Sequence, residues 1–315
     1  MQSPVSVVIP CYTERRWDHL VRAVNSVRVQ SPRPAEIVVA VDHNPDLFAR
    51  AWRELSDVTV LANGSTRGVS GNRNTGVFHT RSPLVALLDD DAYAHPGWLA
   101  GLLAPFTDPA VIGTGGAIRP EWERPQPFWL PDEFLWTVGG SASAPATTTP
   151  ARNVWSASMA VRRDVFESVG GFRVGFGKVG DRARPEDTEL CLRMSQASGG
   201  RWMFVPEAVI DHPVPAQRNT FGFFLSRCYQ EGRGKVEMSR LLGAGSNSLS
   251  AEQAYLRSTL PRAFGRALAD TVRGRGLGNA AKAGAVVSAV AAAAVGGAVE
   301  LMRFRSPQVP LWTVQ

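Results

Sequence analysis

The sequence predicts an α/β protein, a mostly parallel sheet flanked by helices, with a helical C-terminal appendage. Three observations predict it. Short β-branched apolar runs alternate with segments of helical period from Val5 to Leu88, the signature of βαβ units. Conspicuous polar residues follow directly on those runs, where open α/β sheets bind ligands. The 315 residues are 44% hydrophobic and 20% charged, a globular composition rather than a disordered one.

The elements follow in order. Val5-Ser6-Val7-Val8-Ile9, closed by Pro10, reads as a buried strand. Leu20, Val21, Val24 and Val27 give helical periodicity from Trp17 to Val29. Glu36–Val41 is a second strand that ends at Asp42, and a helix from Leu47 to Leu55 leads to a third, Val58–Leu61. A Gly-rich turn and short helix run from Gly68 to Phe78, before a fourth strand, Leu84–Leu88. That strand runs straight into Asp89-Asp90-Asp91.

The middle of the chain is less regular. A strand begins at Val111, and a Pro- and Trp-rich stretch carries Trp122, Trp129 and Trp136. Ser141–Pro150 is a low-complexity Ser/Ala/Thr/Pro segment that predicts a mobile loop. Val154–Val161 is strand-like and Arg163–Val169 helical. Gly170–Arg184, rich in Gly and Arg, predicts a flexible loop, and a helix begins near Pro185. Trp202–Val205 and Ala208–Ile210 read as two short strands that lead to Asp211-His212-Pro213.

Charge and cysteines bound the function. The net charge of +6 comes mostly from arginine and suits nucleic acid, a membrane surface or a phosphorylated substrate. A nucleic-acid partner would explain the basicity but not the clustered aspartates, so none is expected. Cys11, Cys191 and Cys228 are odd in number, far apart and without a CxxC pair. They argue against a disulfide framework or a structural zinc site and read as reduced thiols of a cytoplasmic protein. Met1-Gln2-Ser3-Pro4 passes directly into a strand, so no secretory signal is read.

The aspartate triplet is the sharpest feature. Three adjacent carboxylates beside a buried strand repel one another unless a cation compensates. Mg²⁺ or Mn²⁺ suits oxygen ligands and bridges to substrate phosphates. The alternative is an acidic surface turn or a helix cap.

The order of these motifs resembles glycosyltransferase family 2, the inverting GT-A enzymes. Val7-Val8-Ile9-Pro10-Cys11-Tyr12-Thr13-Glu14 is similar to that family's first strand and donor-base loop, with Thr13 where Asn is usual. Asp42 matches its nucleoside contact. Arg67-Gly68 and Arg73-Asn74-Thr75-Gly76 resemble G-x-x-x-A-R-N-x-G, with Asn72 replacing alanine. Leu87–Ala92 matches the DxD motif, Gly170-Gly171-Phe172 the GGF, and Pro185–Arg193 the ED motif. His212 sits where many members carry a further ligand to metal or diphosphate. The resemblance covers residues 5 to 215.

The resemblance implies a Rossmann-like GT-A domain over 1–215, divided into a nucleotide-sugar half (1–118) and an acceptor half (119–215). It implies a nucleotide-sugar donor, a UDP-sugar by preference, and a hydroxyl acceptor that is a saccharide, a lipid or a small metabolite. Pro10, Tyr12, Glu14, Asp42, Arg67, Gly68, Arg73, Asn74, Asp89 and Asp90 fall on the donor side. Asp91 and His212 are the implied ligands of Mn²⁺ or Mg²⁺. Trp155, Ser156 and Glu186 fall on the acceptor side, and Asp187 is the implied base. Taken alone, Asp187 is equally an ordinary helix N-terminal acid, Arg73 a solvated charge and His212 a satisfied loop histidine. The four tryptophans read as sugar platforms or as packing anchors. Lys178, Arg182 and Arg184 read as a loop closing over the donor or as exposed charges. The rival classes are a non-catalytic nucleotide-sugar binder and a nucleotidyltransferase. The chain lacks the Gly-rich, Lys-bearing loop after its first strand that the latter would need.

Residues 216–315 predict a basic helical region. Ala283–Val299 are 17 consecutive uncharged residues, about 26 Å as a helix against roughly 30 Å of hydrocarbon. With Arg262, Arg266, Arg273 and Arg275 before it and Arg303 and Arg305 after it, the segment suggests contact with the cytoplasmic face of a membrane. The alternative is an Ala-rich helix packed on the domain or on a second subunit.

Overall fold

A computed structural model describes residues 5–141, 145–179, 182–242 and 250–303. Parts of the two expected loops (142–144 and 180–181) and Arg305 lie outside the described residues. The first half alternates β1 (Val5–Cys11), α1 (Trp17–Arg28), β2 (Glu36–Val41), α2 (Pro45–Glu54), β3 (Thr59–Ala62), α3 (Val69–His79) and β4 (Leu84–Leu88). Then come β5 (Tyr93–Ala94), α4 (Trp98–Leu103), β6 (Val111–Trp122), β7 (Thr149–Ala151), β8 (Ser158–Arg162) and α5 (Arg163–Ser168). A small hairpin, β9 (Lys178–Val179) and β10 (Arg182–Ala183), precedes α6 (Glu186–Ser198) and β11 (Arg201–Val214). The C-terminal region holds α7 (Phe221–Leu242), α8 (Ser250–Ala254), a π turn at Tyr255–Thr259, α9 (Leu260–Val272) and α10 (Leu277–Met302).

Nine described strands form one mixed sheet in the order β3-β2-β1-β4-β8-β6-β11-β5, with β7 on β11. β1, β2, β3 and β4 run parallel, whereas β8 is antiparallel to both its neighbours. The chain winds outward from β1 through β2 to β3, then returns to β4 on the other side of β1. The carboxyl ends of β1 and β4 therefore border a topological switch point, where a crevice opens.

The strands are apolar on both faces because helices cover both. Alternate residues face opposite ways. Val7, Ile9, Val39, Ala86 and Leu88 pack with α1, α2 and α4 through Leu20, Val24, Leu47 and Trp98. Val8, Val38, Val85 and Leu87 pack with α3, α5 and α6 through Val77, Phe166, Leu190 and Met194. A third cluster joins Leu130 and Phe134 to Phe224, Cys228, Leu260, Val286 and Ala289 of the C-terminal helices. All three cysteines are buried free thiols.

Four local expectations change. Thr149-Pro150, expected in a loop, belong to β7. The strand expected from Val154 begins only at Ser158, because a turn closed by the Ser158 amide on the Trp155 carbonyl occupies the preceding residues. The two strands expected at 202–210 are one, Arg201–Val214; a register shift between Val205 and Val209 accommodates Pro206, which has no amide to pair. The expected Gly170–Arg184 loop contains the β9–β10 hairpin.

α10 packs along α7 at close range. Ideal Cβ atoms on Gly232 and Gly296 would lie 2.0 Å from the Ala293 and Tyr229 carbonyl oxygens. Arg233 and Glu300 form a buried ion pair between the two helices at 2.8 Å. Val287, Val290, Val295 and Leu301 remain exposed. Gly278–Met302 is long and apolar enough to cross a membrane; an 18-residue stretch of it has mean hydropathy 1.9 and is 28% buried inside the protein.

Candidate active site

The fully buried β4 delivers Asp89, Asp90 and Asp91 to the crevice. Two arginines meet the three aspartates. Arg73, from α3, is only 3% exposed. It donates from Nη2 to Asp89 at 2.7 Å and from Nη1 to Glu186 at 3.0 Å. One guanidinium thus ties the end of β4 to the first residue of α6. Burial would raise the pKa of Asp89; Arg73, with help from His212 and Arg16, holds it below the usual carboxylate range. Arg16 Nη1 stands 2.8 Å from Asp90 and 3.0 Å from Asp91. Asp90 is buried, and burial together with the Asp91 charge pushes it up to about 7 despite Arg16. Its Oδ2 has no partner.

Asp91 faces His212 of β11, with Oδ1 3.5 Å from Nε2. Burial lowers the pKa of His212 below the usual imidazole value although Asp91 opposes this, so a neutral ring is favoured. Its Nδ1 is buried without a partner. The ring lies flush on Gly139, where a Cβ would come within 2.9 Å of Cε1. Gly139 also has φ +89°, open to glycine and strained for other residues.

The donor-side loops are organised by Asp42. Its Oδ1 accepts from Asn63 Nδ2 at 2.7 Å and pairs with His43 Nδ1 at 2.8 Å, and its Oδ2 accepts from the Gly68 amide at 2.9 Å. Arg67 donates to the His43 carbonyl at 3.3 Å. Pro10 is buried in β1, while Tyr12 is 53% exposed with the Arg16 guanidinium 5.5 Å from its ring centroid. Glu14 is exposed in the 3₁₀ turn Glu14–Arg16, and the Thr13 hydroxyl accepts from the Arg15 amide at that turn's start. Asn74 is placed differently from the expectation. It is fully buried, donates to the Phe172 carbonyl at 2.7 Å and accepts from the Phe172 amide at 2.8 Å. It clamps the Gly170-Gly171-Phe172 turn, and its amide is committed to that backbone.

On the acceptor side, α6 presents Glu186 and Asp187. Burial first, and then the Asp187 charge, push Glu186 up to about 7 against the pull of Arg73. Burial also raises Asp187, opposed by the Thr188 amide and by Lys235 of α7. One Asp187 oxygen accepts from that amide at 2.7 Å. The pair is held firmly: Glu189, fully buried, receives Arg173 at 3.0 Å and Arg193 at 2.7 Å. Ser156 is buried, and Trp155 packs half-buried against the first core cluster. Trp122, Trp129 and Trp136 pack on the third cluster, as anchors for the C-terminal helices. Arg184, considered for a closing loop, is instead pinned to Glu237 of α7 at 2.8 Å and to the Gly175 carbonyl. Sequence reasoning missed Arg16. Its only local signal is the basic pair Arg15-Arg16 directly after the donor loop.

Among the described residues, no three His, Cys, Asp or Glu side chains converge as a ready-made metal cage. Asp91 and His212 do offer an oxygen and a nitrogen side by side. Two protein ligands suit a divalent ion that keeps waters and substrate phosphates.

The chain's likenesses agree with this geometry. The model of glycosyl transferase family 2 matches residues 6–170. The glucosyl-dolichyl phosphate glucuronosyltransferase of Haloferax volcanii is 29% identical over 262 residues, which cover 81% of this chain and 83% of that protein. The pre-mycofactocin glycosyltransferase of Mycobacterium tuberculosis is 30% identical over 158 residues, 50% of this chain and 32% of that protein. The mannosyltransferase PcManGT from Pyrobaculum calidifontis, solved with GDP-Man and Mn²⁺, superimposes with TM-score 0.62 at 18% identity, over 97% of this chain and 89% of its own. GalNAc-T7, solved with UDP, GalNAc and Mn²⁺, does so with TM-score 0.53 at 18% identity, over 79% and 53%. These two likenesses establish the GT-A fold. Since the family model spans the whole first wall of the crevice, from β1 through the aspartates to the Gly170 turn, the chain belongs to glycosyl transferase family 2 and is a nucleotide-sugar-dependent glycosyltransferase.

Proposed function

We propose that this enzyme is a metal-dependent, inverting hexosyltransferase that moves a sugar from a UDP-sugar to an acceptor hydroxyl. The observation that carries the reading is the Asp89–Arg73–Glu186 bridge. It ties the end of β4, which carries the aspartate triplet, to the start of α6, which carries Glu186 and Asp187, and this adjacency supports a donor site with a base beside it. Asp91 and His212 would hold Mn²⁺ or Mg²⁺, and the bound ion would supply charge stabilisation for the departing diphosphate. Asp187 takes the proton of the acceptor hydroxyl, and burial, by raising its pKa, makes it a stronger base than an exposed carboxylate. The acceptor oxygen then forms its bond to the anomeric carbon as the bond to the diphosphate oxygen breaks. A single displacement of this kind, with Asp187 as the base, inverts that carbon. Arg73 keeps Asp89 ionised at the donor face. We place the enzyme at the cytoplasmic face of a membrane. The exposed apolar residues of α10 and the neighbouring arginines support that placement.

Thermal shift over a panel of UDP-, GDP- and other nucleotide-sugars, with and without Mn²⁺, tests the reading. Stabilisation is expected from one donor and its nucleoside diphosphate, only with metal, and is expected to vanish in Asp91→Ala. No metal-dependent stabilisation by any member of the panel would refute it.

A further inference from the structure

The two arginines on the aspartate triplet are held very differently. Arg73 is locked: its side chain is 4% exposed, and both terminal nitrogens are bonded, to Asp89 and to Glu186. Arg16 stands at the rim: its side chain is 29% exposed, and among the described residues Asp90 and Asp91 hold it through Nη1 alone. It ends the 3₁₀ turn Glu14–Arg16, directly after the donor loop, and its side chain makes no capping bond to α1. The Tyr12 ring, 53% exposed, lies 5.5 Å from the guanidinium and offers its face as a second seat.

The seat that Arg16 takes is the one a metal ion needs. The two oxygens of Asp91 are divided, Oδ2 at 3.0 Å from Arg16 and Oδ1 at 3.5 Å from His212 Nε2. An ion bound to Asp91 at about 2.1 Å therefore shares one carboxylate with a positive charge already in place. Like charges this close in a partly buried site repel strongly. An ion arriving alone must expel the guanidinium and strip it of its counterions. An ion arriving on a diphosphate brings a counterion with it. Phosphate oxygens take the planar guanidinium fork in pairs, and the Nε and Nη2 donors are the ones that the aspartates leave unused.

We propose that Arg16 stands in for the metal before the donor arrives, excludes free divalent ions, and passes to the donor diphosphate when the metal enters as its nucleotide complex. Metal binding is thereby conditional on the donor, and Arg16 is a further diphosphate-binding residue. Arg73 cannot take this part, because both of its terminal nitrogens are committed to the bridge. The inference rests on the donor-site reading above, and its test separates the two.

Calorimetry on the full chain provides the test, with Mn²⁺ alone, and with UDP and GDP, each alone and preformed with Mn²⁺, as probes. In Arg16→Gln the two affinities should move in opposite directions: Mn²⁺ alone at least about tenfold tighter, the Mn²⁺–nucleotide complex about tenfold weaker. Arg16→Lys keeps the charge and loses the fork, so Mn²⁺ alone should stay within about threefold of wild type while the complex weakens. Arg22→Gln, on the exposed side of α1 and paired with Glu121 at 3.2 Å, should change neither. A residue that merely shapes the site would move both affinities the same way in Arg16→Gln, and that result overturns the proposal. So does unchanged binding of the complex, which would make Arg16 a plain counterion, and so does unchanged binding of Mn²⁺ alone. Wild-type affinity for the complex in Arg16→Lys overturns it independently of whether Arg16→Gln folds. Metal-dependent nucleotide binding without the opposed shifts refutes this inference alone; absence of Mn²⁺-dependent binding of either nucleotide to the wild type refutes the donor reading, and this inference with it.

Discussion

Replacing Arg73 by Met tests whether one buried guanidinium organises both walls of the crevice. The substitution keeps an apolar stem in α3 but removes both bonds, at 2.7 Å to Asp89 and 3.0 Å to Glu186. Breaking a buried pair costs about 3–5 kcal/mol because the abandoned charge stays desolvated. Here the Asp89 and Glu186 side chains keep 26% and 16% of their exposure, so the low end, about 3 kcal/mol, applies. Unfolding entropy of about 2.1 cal/mol/K per residue makes that a fall in Tm of about 4 °C. The effect depends on pH, with a definite sign. Asp89 has a depressed folded pKa, so its stabilisation is present above its unfolded pKa of about 3.9 and is lost as pH falls through the folded value. Glu186 is raised to about 7 in the folded state, so it binds more protons folded than unfolded, and stability declines as pH rises from about 4.3 to about 7. Without Arg73 both carboxylates resist ionisation further. The gap between wild type and variant should therefore widen from pH 4, where the Asp89 share is already present, to pH 8, where both carboxylates are ionised. Melting curves from pH 4 to pH 8 measure it. A gap below about 1 °C at pH 8, or one that does not change with pH, would refute the bridge as the organising element.

Three further outcomes follow from the site. Asp187→Asn should bind the nucleotide donor as wild type does and lose transfer by about 10²–10⁴-fold; wild-type transfer should fall as pH drops through the raised pKa of Asp187, and substantial turnover by Asp187→Asn would remove Asp187 as the base. Arg16→Gln takes away the guanidinium lodged between Asp90 and Asp91, so Mn²⁺ should bind the nucleotide-free protein at least about tenfold more tightly, and unchanged or weaker Mn²⁺ binding by calorimetry would contradict this. Gly139→Ala forces a left-handed residue and a Cβ against His212, so it should lower stability by about 1–3 kcal/mol and weaken Mn²⁺ binding; an unperturbed melt would show that the turn can relax.

Local chemistry made much of this protein legible without coordinates. A buried parallel strand is a short β-branched run, and Val5–Ile9, Glu36–Val41 and Leu84–Leu88 show it directly. Because βαβ winding sends strand ends to one edge, Asp42 and Asp89 to Asp91 could be placed at a shared site from their positions alone. Elements with weaker local signals were harder. Proline 206 split one strand in two on paper because the compensating register shift needs β6 beside it. The stretch around Trp129 looked equally suited to a ligand or to packing, since an aromatic ring carries no mark of its partner.

By itself, then, the sequence determined the α/β alternation, the edge at which the aspartates emerge and the order of the family's motifs, all of which depend on neighbours within a few residues. Only the tertiary structure decided which charges meet. Arg16 and Asp90 are 74 residues apart in the chain, and Arg73 and Glu186 are 113 apart. It also committed Asn74 to a backbone turn, and covered one face of α10 with α7 while leaving another exposed. The physical reason is the same in each case. Backbone periodicity is set by local sterics and apolar pattern, whereas an ion pair or a buried face exists only once the sheet has brought distant segments together and removed the water between them.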